Sequence, residues 1–260
     1  MALHTWAGNK NETVVIHMTK RKPTAISLFS GAGGMDAGFD MAGFDVRLAI
    51  EVDPSCCETL KHNLKSTKVL CADIRDVTLD QICHLSGLQV GEIDCVFGGP
   101  PCQSFSLAGK RQGLDDERGM LVFKFVDLVR RLKPKAFVLE NVKGMVNWQG
   151  GVVIKEIEDM FAEPLATGEK YSVQHKVLNA ADFGVPQSRE RVFVVGTRLT
   201  KRYTFPAPTH AGHTHGLSNE LMPHVTVGEA LAGLPKADAP SETALRVSET
   251  IKGRIEKHGY

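Results

Sequence analysis

A doubly wound, mostly parallel α/β sheet is the architecture this sequence predicts, on three observations. Short apolar runs alternate with helix-period segments from residue 24 to about residue 198. Several of the runs stop at a carboxylate or a glycine, as strands do at the ligand-binding edge of an open α/β sheet. The first run leads directly into a glycine-rich turn and then a helix.

The elements follow in order. Residues 25–29 read as a strand, and Gly31-Ala32-Gly33-Gly34 turns into a helix ending near residue 42. Residues 46–50 form the next strand, which stops at Glu51. Pro54, tolerated in a first helical turn, opens a helix to about residue 64. Residues 69–71 make a short strand ending at Asp73, and 79–85 a helix. The apolar run 93–97 is a buried strand that Gly98-Gly99-Pro100-Pro101 terminates, because two prolines forbid further ladder pairing. Residues 120–132 are an amphipathic helix stopped by Pro134. A strand at 136–139 ends at Glu140, a helix covers 152–161, and strands cover 171–178 and 192–196. Beyond Arg198 the rhythm stops, prolines and histidines cluster, and 225–234 and 248–257 remain as short helical segments. The expected organisation is a leader over 1–22, a catalytic, cofactor-binding domain over 23–200, and a linker with the start of a small target-recognition domain over 201–260.

Composition sets limits on the function. The chain has 260 residues, 42% of them hydrophobic, enough for one sizeable core. A net charge of +1 does not announce a nucleic-acid binder, and a local basic face suffices for one. No apolar run has membrane-spanning length, and polar residues interrupt the N-terminal stretch where a signal peptide needs an apolar core. The six cysteines form no CxxC pair, so no metal is expected. The expected setting is a reducing cytoplasm, that of a bacterial cell or its nucleoid.

The first strand delivers Ser30, Gly31, Gly33 and Gly34 to a turn where backbone can approach a ligand. The glycines do not follow GxGxxG, because Asp36 stands where the last would fall, which favours an adenosyl cofactor without a pyrophosphate over NAD. Glu51 and Asp73 end the second and third strands, placed to accept hydrogen bonds from ribose hydroxyls and an adenine amino group; helix capping is the alternative for each. Cys102 stands on a stiff loop at a strand's C-terminal end, the place for an exposed thiolate nucleophile. The other five cysteines lie in helical or apolar strand segments, where the residue is usually a small hydrophobe.

These motifs, in this order, resemble the cytosine-5 DNA methyltransferase family. Phe29-Ser30-Gly31-Ala32-Gly33-Gly34 is similar to its S-adenosylmethionine loop, and Glu51-Val52-Asp53 with Asp73 to its ribose and adenine contacts. Gly99-Pro100-Pro101-Cys102-Gln103 matches its nucleophile loop, Glu140-Asn141-Val142 its catalytic glutamate motif, and Gln187-Ser188-Arg189-Glu190-Arg191 its arginine motif. The resemblance is strong over about residues 24–200 and weak over 205–257.

It implies an S-adenosylmethionine-dependent, Rossmann-like methyltransferase that leaves S-adenosylhomocysteine as product. The implied cofactor contacts are Phe29, Ser30, Gly31, Gly33, Gly34, Glu51, Val52, Asp73, Ile74 and Pro100. The implied catalytic set is Cys102 as nucleophile at cytosine carbon 6, Glu140 as acid toward nitrogen 3, Arg191 at the base carbonyl, and Arg189 in support. The target cytosine must leave the duplex to reach Cys102. The loop over 104–119, with three glycines, resembles the family's closing loop, with Ser104, Lys110, Arg111 and Arg118 toward DNA.

No target recognition region or closing motif is evident up to Tyr260. The expected partners are therefore double-stranded DNA and a second polypeptide carrying those parts, unless the chain is a piece of a longer protein. Two functional alternatives stay open: a transfer-RNA cytosine-5 methyltransferase, and a non-catalytic cofactor-binding scaffold. Restriction–modification, phage self-protection and regulation all stay open as the biological role, and the DNA target is not legible.

Overall fold

The computed structural model describes residues 21–101, 120–200, 203–212, 221–234 and 241–258. They divide into two compact units, Met1–Leu178 with Glu190–Ala207, and Asn179–Arg189 with Pro208–Tyr260.

The first unit is built on seven strands: β1 Thr24–Leu28, β2 Asp45–Glu51, β3 Lys68–Cys71, β4 Cys95–Gly98, β5 Ala136–Val142, β6 Ser172–Asn179 and β7 Glu190–Thr197. Their order in the sheet is β3-β2-β1-β4-β5-β7-β6. The pairs from β3 through to β5 are parallel, and β7 runs antiparallel to β5. This is the expected doubly wound sheet. The chain winds outward from β1 through β2 to β3, then returns to pair β4 on the other side of β1. The strand order reverses there, and a crevice opens at the carboxyl ends of β1 and β4.

Local chemistry explains the elements. All five residues of β1 are buried, as a central parallel strand covered on both faces requires. Helix α1, Gly34–Met41, follows the glycine turn. Helix α2, Pro54–Asn63, has proline in its first turn and is capped by Asp53, whose carboxylate accepts from the Ser55 and Cys56 amides. Helix α3, Leu79–Ser86, begins with a Thr78–Gln81 capping box. Helix α4, Met120–Leu132, has the predicted limits; a short α5, Gly144–Asn147, and α6, Val152–Ala162, follow β5. The core joins Ile26, Leu28, Leu48, Ile50 and Val96 of the sheet to Phe125, Val129, Ile157 and Phe161 of α4 and α6.

Close approach at the switch point depends on Gly98. A Cβ there would lie 2.1 Å from the backbone oxygen of Leu28. At the opposite end of the strands Asp94 accepts from the Thr24 amide, Arg21 and Lys135, tying the starts of β1, β4 and β5 together. Although burial opposes it, this pairing holds the Asp94 carboxyl well below the usual carboxylate range.

Several expected strand ends move, most by a single residue, and the last strand begins at Glu190 rather than Val192. The fourth strand begins at Cys95 rather than Ile93. The fifth does not end at Glu140 but runs on through Val142, because β7 pairs with it there. Glu140 is thus a strand residue, opposite Phe193.

In the second unit, β8 His210–Ala211 pairs in parallel with β9 Met222–Pro223. Helix α7, Val227–Leu231, starts at a Thr226–Glu229 capping box, and α8 covers Glu242–His258. Asp182 holds the segment together: its carbonyl accepts from the Thr209 amide at 2.9 Å and its carboxylate pairs with His224 at 3.0 Å. Helix α8 starts six residues earlier than the sequence predicts, because Glu242 to Val247 join it.

Candidate active site

A cleft of about 330 Å³ opens at the carboxyl ends of β1 to β4, lined by Phe29, Gly31, Ile50, Glu51, Val52, Ala72, Asp73, Ile74, Gly99, Pro101 and Leu121. That volume is at the lower end of the roughly 300–1,000 Å³ typical of small-molecule sites. Its wall is apolar except for two carboxylates, one at each of two neighbouring strand ends. Such a wall suits an adenosyl group whose ring lies against apolar side chains and whose hydroxyls and amino group meet acceptors.

Glu51 closes the floor. Its Oε2 accepts from the Gly31 amide at 2.7 Å, and its Oε1 accepts from the Val52 and Asp53 amides, both at 2.9 Å. One carboxylate therefore ties the end of β2 to the glycine turn after β1. Oε1 has used both lone pairs and Oε2 one, so Oε2 keeps one acceptor direction for a ligand hydroxyl. Asp73 is held differently. Arg75 donates to it from Nε at 3.0 Å and from Nη2 at 2.7 Å, and its amide adds a third bond. Hydrogen bonding to Arg75 lowers the Asp73 carboxyl below its ordinary range. Any ligand donor that reaches Asp73 shares it with Arg75.

Phe29 follows β1 with φ +56°, a left-handed conformation that strains a non-glycine residue, at the point where the chain turns into the cleft. The other predicted loop contacts are not on the lining. Ser30 donates from its hydroxyl to that of Ser27 at 2.7 Å. At Gly33 a Cβ would lie 2.7 Å from Leu60 Cδ2, so this glycine lets α1 approach α2. Gly34 opens helix α1, and Pro100 is buried beside the lining residues Gly99 and Pro101.

The cleft also takes Ile50, Ala72, Gly99, Pro101 and Leu121, which the sequence alone does not single out as cofactor contacts. Ala72 and Ile50 adjoin predicted contacts, and that adjacency is a signal that could have found them. Leu121 is brought by the packing of α4, which no local pattern announces.

Beside the cleft, at the ends of β5 and β7, the Arg191 Nε lies 3.0 Å from Glu140 Oε1, with both side chains largely buried. Arg191 also donates from Nη1 to the Glu190 carbonyl at 2.8 Å, and Glu190 pairs with Lys143. The Glu140 carboxylate lies against Gly99, where a Cβ would sit 3.0 Å from Oε2. Glu140 and the Gly99 stem thus lie together at this end of the sheet. Arg189 belongs to the second unit and precedes β7, and its amide donates to Asn179 Oδ1 at 2.9 Å. Cys102, Ser104, Lys110, Arg111 and Arg118 lie outside the described residues.

Of the described cysteines, Cys57 and Cys95 are buried, and burial pushes both thiols up to about 12, which makes them poor nucleophiles. Among the described residues no cluster of three or more His, Cys, Asp or Glu is placed to hold a metal, and no helix is long and apolar enough to cross a membrane.

A doubly wound sheet with an apolar cleft tipped by two carboxylates at its switch point, beside a largely buried glutamate–arginine pair, fits an α/β methyl-transfer protein. A model of the family described as C-5 cytosine-specific DNA methylase matches residues 24–252, and the chain belongs to that family, whose methyl donor is S-adenosylmethionine. The chain is 53% identical over 243 residues to Type II methyltransferase M.AquIA of a Picosynechococcus species, covering 90% of this chain and 98% of that one. It is 41% identical over 219 residues to Type II methyltransferase M.XorII of Xanthomonas oryzae pv. oryzae, covering 84% of this chain but 48% of that one. A crystal structure of a DNA modification methyltransferase encoded within an E. coli prophage matches with a TM-score of 0.64 and 29% identity, over 83% of this chain and 56% of that chain. The chain thus spans about half the length of the last two. These findings support a DNA cytosine methyltransferase over the transfer-RNA relative.

Proposed function

We propose that this chain carries the catalytic centre of a DNA cytosine-5 methyltransferase, with Cys102 as nucleophile and Glu140 and Arg191 as the groups that hold and activate the base. The observation that carries this reading is the placement of the Glu140–Arg191 pair against Gly99, three residues before Cys102, at the edge of the Glu51 cleft. S-adenosylmethionine, when bound there, supplies an electrophilic methyl group on a sulfonium.

The rest is work for the chain's own residues. Glu51 and the glycine turn hold the ribose end, and Phe29, Ile74 and Leu121 exclude water from the adenine. A thiolate at Cys102 adds to carbon 6 of an extruded cytosine, and the electron pair moves toward nitrogen 3, where Glu140 donates a hydrogen bond. Carbon 5 becomes enamine-like and takes the methyl group. Loss of the carbon-5 proton and expulsion of the Cys102 sulfur then restore the aromatic base. Arg191 orients Glu140 and offers its remaining N–H groups to the base carbonyl.

Target recognition is proposed to come from a second polypeptide. In support, α7 and α8 with their flanks expose Val227, Leu231, Leu234, Leu245, Val247 and Ile251, each at least half exposed, and a surface of that kind marks a partner site. The chain also spans 98% of M.AquIA but 48% of M.XorII. The test is a methylation assay on defined duplexes, with transfer RNA in parallel. The chain is incubated alone and with a separate polypeptide carrying a target recognition region. Sequence-specific DNA methylation only in the mixture is expected. Specific methylation by the isolated chain at the rate of the mixture removes the second polypeptide from the account.

A further inference from the structure

Asn141 follows Glu140 in β5 and is 2% exposed. Its Nδ2 donates to the Pro100 carbonyl at 3.2 Å, and its Oδ1 accepts from the Val142 amide at 2.8 Å. The second bond fixes which way the amide faces, so that the NH2 group points at Pro100.

Strand β5 pairs in parallel with β4, with Leu139 opposite Gly98. The next residues of the two strands, Gly99-Pro100 and Glu140-Asn141, therefore run side by side, the first pair past the end of β4 and the second still within β5. Successive strand residues project to opposite faces. Accordingly Glu140 lies against Gly99 on one side, while Asn141 holds Pro100 on the other. Two consecutive residues of β5 grip two consecutive residues of the stem that leads to Cys102. The prolines at 100 and 101 have no N–H to donate to β5, and the Asn141 amide reaches across to the Pro100 carbonyl instead.

We propose that Asn141 is a positioning residue for methyl transfer: by fixing the Pro100 carbonyl it sets where the nucleophile stem departs relative to the Glu140 carboxylate. This rests on the reading of Cys102 as nucleophile. Attack at carbon 6 and hydrogen bonding at nitrogen 3 must address one ring from two different strands. A misplacement of about 1 Å between such groups costs on the order of 100-fold in rate. Asn141 itself touches neither base nor cofactor. An aspartate in its place has the same shape but no donor, and sets a carboxylate against the Pro100 carbonyl.

The test uses Asn141→Asp and Asn141→Ala in the active form of the enzyme. It reads turnover, KM for DNA, cofactor affinity, the melting curve, and the rate of covalent capture on a duplex carrying 5-fluorocytosine. Both variants are expected to lower turnover and capture rate by about 100-fold. Cofactor affinity and KM for DNA should stay within about threefold, in a protein that melts cooperatively. Capture at the unmutated rate by a folded variant overturns the proposal. So does a loss that appears in cofactor affinity instead of turnover, or failure of both variants to fold, since either makes the role purely structural. If the unmutated enzyme itself captures no 5-fluorocytosine through Cys102, the underlying nucleophile reading fails, which separates the two claims.

Discussion

Glu140 and Arg191 meet diagonally across the antiparallel pair of β5 and β7, with Oε1 3.0 Å from Nε. Glu140 stands opposite Phe193 and Arg191 opposite Val142, so the two side chains share a sheet face two residues apart, within reach of long side chains. Arg191→Lys should lower turnover by about 100-fold or more, because an ammonium cannot keep the Glu140 contact and address the base with the geometry of a guanidinium. Cofactor affinity should be unchanged. Steady-state methylation kinetics with a parallel binding titration check both statements.

Glu140→Gln keeps the shape and removes the acid. Turnover should fall by about 10²–10⁴-fold, the usual worth of a positioned proton donor. The observable is the single-turnover rate at saturating cofactor.

Glu51→Ala should weaken S-adenosylmethionine binding by about 1–3 kcal/mol, the worth of a hydrogen bond from a ribose hydroxyl to a charged acceptor. Three backbone amides lose their partner at once, those of Gly31, Val52 and Asp53, so the glycine turn loosens along with the loss of the ribose contact. Titration calorimetry reads this directly, and an unchanged dissociation constant would reduce Glu51 to a fold element.

Asp36 gives a pH prediction. Its carboxylate is wholly buried in α1, and neither oxygen has a hydrogen-bond partner among the described residues. Burial raises its pKa to about 6, and the nearby Ser27 hydroxyl offsets this only in part. A raised pKa in the folded state means stability that is complete below the ordinary value near 3.8 and is lost as pH rises through about 6. The loss amounts to about 3 kcal/mol by pH 8. Subtracting the Asp36→Asn stability profile from the unmutated one, by chemical denaturation between pH 4 and 8, should isolate this loss. A flat difference would contradict it.

Gly98→Ala should cost about 2–3 kcal/mol, because a Cβ placed 2.1 Å from the Leu28 oxygen forces β1 and β4 apart in the middle of the sheet. Thermal unfolding measures it.

Most of the sheet was legible because parallel strands buried on both faces read as apolar runs with sharp ends, and β1, most of β2, and β4 are of that kind. Helix α4 was legible at both limits because Pro134 stops it and its apolar face repeats at helical spacing. Glu140 was misplaced as a strand end because pairing with β7 extends β5 past it, a contact made over about fifty residues of sequence that leaves no local mark. Glu51 and Asp73 were legible because acidic residues that close consecutive strands stand where a nucleoside needs acceptors. Their engagement by backbone amides and by Arg75 was not readable, since both depend on turn geometry. Asn141 lay inside the glutamate motif, but its partner is 41 residues away. Asp36 was legible only as a break in glycine spacing; that it is buried without a partner follows from the packing of α1 on the sheet.

The central claim is that Cys102 forms a covalent bond to the target cytosine. It is tested most directly by incubating the active enzyme with cofactor and a duplex carrying 5-fluorocytosine, then digesting and weighing the peptides. The account predicts a nucleotide adduct on the peptide containing Cys102, and no adduct and no methyl transfer with Cys102→Ser. Turnover by Cys102→Ser near the unmutated rate, or an adduct on a different residue, would contradict it.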